Sequence, residues 1–69
     1  MNEKVEKLKH LLPHLLEHNL EHVREHKKWV ELCEEAGLTE IAEDLKEVVS
    51  LFEACTPYFE RAVKKIETL

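Results

Sequence analysis

Glycine occurs once in the 69 residues, proline and cysteine twice each, and aromatic side chains make up 6 %. So few turn formers leave little room for a fold of many short strands joined by turns. Two cysteines, Cys33 and Cys55, are too few for a secreted disulfide framework. In a reducing compartment each is expected to be a small buried apolar residue. Asp44 is the only aspartate and glutamine is absent; this bias accompanies helix-rich and thermophile sequences. No apolar run approaches the roughly 20 residues that span a bilayer. The opening "MNEKVEKLK" has no signal-peptide core, so a cytoplasmic protein is expected. Basic excess is missing too. The net charge is −5, which argues against a phosphate-neutralising nucleic-acid surface and against a membrane-surface helix with a Lys/Arg-rich polar face. A chain this short makes at most one small domain, and such a core usually needs metal or oligomerisation as a supplement.

What is present is helical periodicity with one strong break. "EEAGLTE" holds Gly37, suited to the left-handed position that ends a helix. Thr39 offers a hydroxyl to cap the next helix, with Glu40 and Glu43 in its first turn. Asn2 can cap the first. The chain therefore reads as one helical-hairpin domain, 1–69. Helix 1 runs over about 3–36 with a break near Pro13, a turn spans 37–39, and helix 2 runs over about 40–67 with a break near Pro57. Thr56-Pro57 reads as cap plus first helical position, a restart signal.

Alternating steps of three and four mark a seam on each helix. On helix 2 it is Ile41, Leu45, Val48, Phe52, Cys55, Phe59, Ala62, Ile66 and Leu69. On helix 1 it is Val5, Leu8, Leu12, Leu15, Asn19, His22, His26, Trp29, Cys33 and Ala36. Pairing outward from the turn sets Cys33 near Ile41, His26 near Val48, His22 near Phe52 and Asn19 near Cys55. The two cysteines then lie too far apart for an intrachain disulfide, which needs Cα atoms within about 7 Å. The apolar stripe is wider than one seam, with Leu11, Leu16, Val23 and Val30 flanking it on helix 1 and Val49, Leu51, Tyr58 and Val63 on helix 2. That width suits a bundle helix with more than one neighbour. The fold class is thus all-α, an antiparallel two-helix hairpin, dimerising with a second copy into a four-helix bundle.

The chemistry is concentrated in "LLEHNLEHVREHKK". All five histidines fall at 10, 14, 18, 22 and 26. A step of four turns about 40° round a helix, so neighbours adjoin while the row drifts by about 160° in total. His-x-x-x-His can place two imidazole nitrogens on one metal, and Glu17, Glu21 and Glu25 between the rungs could ligate or orient a ring. Two ligands fall short of the three or four a zinc site needs. The candidate set is therefore His14, His18 and His22, extended by His26 and Cys55, with a second copy supplying the remainder. Nitrogen and sulfur donors favour zinc, nickel, cobalt or copper over magnesium or calcium. Set against this, the outer histidines read as a solvated flank, His22 and His26 as hydrogen-bonded core residues, and Asn19 as a polar seam residue that fixes register.

The stretch "LLPHLLEHNLEHVREHKKWVELCEEAGLTEIAEDL" resembles a family of small prokaryotic helical-hairpin proteins with the pattern "LPHWxEHNxEHxxEFxxW" before a glycine turn. Pro13, His14, Glu17, His18, Asn19, His22 and Trp29 match it; His10 and His26 lie outside it. The resemblance implies a helical hairpin linked to metals and no particular reaction. His-x-x-x-His on long helices is also similar to hemerythrin-like di-iron carriers, but those draw ligands from more helices, and helix 2 here has no histidine. The expected function is a non-catalytic homodimeric module that binds a transition metal through the histidine ladder. The alternative is a structural interaction module in which histidine and asparagine set assembly only.

Overall fold

The structure, a computed structural model, describes residues 2–69. Two helices, α1 (Glu3–Glu35) and α2 (Thr39–Glu67), pack as an antiparallel hairpin of 55 × 15 × 12 Å. No helix among the described residues is long and apolar enough to cross a membrane.

Local chemistry sets the ends. The Asn2 side chain accepts the Lys4 N–H at 2.9 Å, with Glu3 and Glu6 in the positive first turn of α1. At the other end the Leu38 N–H donates to Cys33 O at 2.8 Å and the Gly37 N–H to Glu34 O at 3.1 Å. This pair of bonds is a Schellman motif, and Gly37 supplies its left-handed residue at φ 76°. Thr39 does not cap α2. Leu38 is the cap residue, with its carbonyl accepting Ala42 N–H, and Thr39 is already helical. Lys64 and Lys65 sit in the negative last turn.

The breaks expected at the prolines do not interrupt either helix. Pro13 lies inside α1 and Pro57 inside α2. Each removes one backbone hydrogen bond, but half-buried residues flank both sites: Leu12 and Leu16 around the first, Thr56 and Phe59 around the second. Thr56 does not restart a helix; its hydroxyl donates back to Phe52 O within α2.

The register between helices agrees with the pairing read from the turn. The rings of His22 and Phe52 stack at 5.8 Å. Asn19 lands one residue from its expected neighbour: its Nδ2 donates to Thr56 Oγ1 at 2.8 Å and to Phe52 O at 3.2 Å. The rotation of each helix differs from expectation. The interior seam of α1 passes through Val5, Leu12, Leu16, Asn19, Val23, His26, Val30 and Cys33, all buried or half-buried. That of α2 passes through Ala42, Leu45, Val49, Phe52, Thr56, Phe59, Val63 and Ile66. The core is Val23, Val30 and Val49, with Leu45 and Phe52 packed against them. Four of the valines placed on the flank, Val23, Val30, Val49 and Val63, are therefore seam residues. His22, Trp29, Ile41 and Cys55, placed on the seam, are exposed. Small β-branched side chains let two helices approach closely without straining rotamers, and in this rotation the Asn19 amide reaches both its partners.

Candidate functional site

The rotation makes the hairpin two-faced. The displaced residues of α1 recur every seven positions: Leu8, Leu15, His22, Trp29 and Ala36. Those of α2 do the same: Ile41, Val48, Cys55 and Ala62, with Leu69 two residues past its end. At about 100° per residue each row lies about 80° from the centre of its interior seam, and in an antiparallel hairpin both rows fall on the same side. Leu15, Val48 and Ala62 are half-buried there and the other seven are exposed. Further round the same side are Leu11, Leu32, Leu51 and Tyr58, the last two 68 % and 67 % exposed. Of the exposed large apolar side chains among the described residues, Leu20 and Leu38 alone lie off it.

The opposite side is charged. Lys27 pairs with Glu53 at 3.3 Å and Lys46 with Glu34 at 3.4 Å, both bridging the two helices. Glu43 and Glu34 hold the Lys46 ammonium above its ordinary lysine range. All these groups are exposed, so the pairs contribute little stability. They keep that side wet.

The histidine ladder divides into three. His10 is exposed on α1. His14 and His18 form an exposed pair with ring centroids 4.3 Å apart. His22 and His26 enter an aromatic cluster on the apolar side. They stack on each other at 5.9 Å, and both stack on Phe52, at 5.8 and 5.1 Å. Trp29 meets His26 edge-on at 5.0 Å. His26 Nδ1 is shut off from solvent without a hydrogen-bond partner. This is the one buried polar atom of its kind among the described residues, and it departs from the expectation of a hydrogen-bonded core histidine. No hydrogen bond or ion pair joins Glu17, Glu21 or Glu25 to an imidazole among the described residues.

The candidate ligands His14, His18, His22, His26 and Cys55 do not converge within one chain. No group of three or more His, Cys, Asp or Glu side chains able to hold a metal forms among the described residues. The drift of a four-residue step carries His14 and His22 to different parts of the surface, and α2 brings no histidine to meet them. Cys55 is free and exposed rather than buried; Cys33, also free, is half-buried. Two residues matter more than the sequence suggested. Thr56 holds Asn19, and Phe52 is the platform for both inner imidazoles. Thr56 was legible in principle, since it keeps the three-four spacing of Ala42, Leu45, Val49, Phe52, Phe59 and Val63.

A family model described as a domain of unknown function (DUF8180) matches residues 8–66. The chain belongs to this family. The match takes in both helices, the turn, the whole ladder and Cys55, so the two-faced hairpin is the family's domain in this chain and not an appendage to it. No curated protein and no solved structure matches.

Proposed function

We propose that this chain is a non-catalytic assembly module, in which two hairpins pack through the side bearing His22, Trp29 and Cys55 to form a four-helix bundle. The observation that carries this reading is the one-sidedness of the surface: apolar heptad rows on one side, interhelical ion pairs on the other. Monomeric proteins seldom leave so continuous an apolar surface open. One broad side of a hairpin 55 Å long and 15 Å wide has an outline on the order of 800 Å², enough for the share per partner of a standard specific interface. A second copy is the natural occupant, because a two-fold interface uses one self-complementary patch twice. Among the described residues of one hairpin the buried apolar ones are only Val23, Val30, Ala42, Val49 and Ile66, a core too small to supply much stability alone. Thermal melting should therefore depend on concentration, with Tm rising as the chain is concentrated. A Tm unchanged over a hundredfold dilution would contradict assembly.

The ladder supports a second reading, in which the assembled module also holds zinc, nickel, cobalt or copper through His14, His18 and His22, with His26 and Cys55 available. The observation in its favour is the close His14–His18 pair, set on one helix at metal-chelating spacing. Binding should weaken in mild acid, where imidazole takes up a proton. Calorimetry with nickel on the His18→Ala, His22→Ala double variant tests it. That variant removes one member of each pair, so affinity is expected to fall at least about tenfold; unchanged affinity would exclude the ladder as a ligand set.

A further inference from the structure

His22 and Cys55 are the middle members of the two apolar rows, and each is the only member of its row with a metal-ligating side chain. The interhelical contacts place them at one height in the hairpin. His22 stacks on Phe52, and Asn19 bonds to Phe52 O and Thr56 Oγ1, so Cys55 lies in the turn of α2 that these contacts bracket. Both side chains are exposed on the same side. One chain thus presents one imidazole and one thiol, two donors where a structural transition-metal site needs four.

We infer that two hairpins, packed by this face, close an interchain site of four donors: His22 and Cys55 of one copy with the partner's His22 and Cys55. The inference rests on the assembly reading above. It does not require knowing which two-fold axis relates the copies. An axis along the hairpin preserves height, so the four groups share a layer. An axis across the hairpin that passes at the level of His22 and Cys55, with the two hairpins packed end-flush, exchanges the two ends of each row but returns the middle to the middle, and the same four groups share a layer again. Above and below that layer the rows carry only aliphatic side chains and Trp29, which exclude water from it. Two imidazoles and two thiolates in tetrahedral array suit zinc, and cobalt in its place. Binding is ligand exchange without redox change. Each Cys55 sulfur forms a bond to the metal as its S–H proton leaves to solvent, and each His22 binds through a neutral ring nitrogen. The His14–His18 pair takes no part in this site.

Titration of cobalt(II) into the reduced, metal-free full chain tests the site. Absorbance is expected to saturate at one cobalt per two chains, with thiolate-to-cobalt charge transfer in the near ultraviolet and the intense visible bands of tetrahedral cobalt. Cys55→Ser should abolish the charge-transfer band, and His22→Ala should weaken binding at least about tenfold, with helicity by circular dichroism unchanged in both. The His14→Ala, His18→Ala double variant should keep the band and the stoichiometry. A charge-transfer band that survives Cys55→Ser, or saturation at one cobalt per chain, overturns the site. A metal-free dimer that shows no such band on adding cobalt overturns the site and leaves the assembly reading standing. A chain that is monomeric with and without cobalt overturns both.

Discussion

Trp29→Glu is expected to leave the chain helical and to abolish its assembly. Trp29 is 46 % exposed in the hairpin, meets His26 edge-on and lies outside the valine core, so the hairpin should stay folded when the indole goes. In the proposed bundle the same position would lie within the covered face. A glutamate there would be stripped of water with no cation in either row to receive it. An uncompensated buried charge costs about 3–5 kcal/mol, or at least about a hundredfold in the dissociation constant. Sedimentation velocity at micromolar concentration should show the variant at the 8.2 kDa of one chain. Lys27→Glu is the control. It places a like charge opposite Glu53 on the wet side, breaking an exposed pair of small energetic weight, and assembly should survive. A Trp29→Glu variant that assembles as the natural chain does would show that this face is not the interface.

Asn19→Ala is expected to destabilise the hairpin by about 2 kcal/mol. Asn19 is 5 % exposed, and its amide nitrogen serves two acceptors on α2, Thr56 Oγ1 and Phe52 O. Removing it leaves a cavity and takes away two hydrogen bonds between the helices, each worth about 0.5–1.5 kcal/mol net, while Thr56 keeps its own bond to Phe52 O. In a domain of this size Tm should fall by on the order of 10 °C. Asn19→Leu separates two roles of the residue. Leucine fills the space with apolar contact, so stability should largely return, while the bond that pins α1 to α2 at Thr56 is gone. Register then rests on packing alone. The expected sign is a hairpin of near-natural Tm whose His22 and Phe52 resonances broaden or double in NMR spectra. If Asn19→Ala melts as the natural chain does, the Asn19–Thr56 bond does not hold the helices together.

The hairpin, its turn and its register were legible in the sequence. Gly37 alone could adopt the conformation that ends α1, and counting outward from it put His22 against Phe52. The rotation of the helices was not legible. Val5, Leu12, Asn19, His26 and Cys33 belong to two overlapping heptad patterns. One is completed by Leu16, Val23 and Val30, the other by Leu8, Leu15, His22 and Trp29. Periodicity selects larger apolar side chains for the seam, which favoured Trp29 and Leu8. Close approach of two helices favours small branched ones, and the valines take the interior. The same rotation accounts for the ladder. His22 and Cys55 were placed inside the hairpin, and they stand on its open face, where one chain cannot complete a site. The prolines misled for a related reason. Each deletes a single backbone bond, and half-buried residues on either side of it remain helical.

The most direct measurement is the mass of the unmodified chain by sedimentation equilibrium, with chelator present and at several micromolar concentrations. The expected result is a particle of two chains, twice the 8.2 kDa of one, dissociating only on strong dilution. A fully helical particle of one chain throughout that range would contradict the assembly of two hairpins through the His22, Trp29 and Cys55 face.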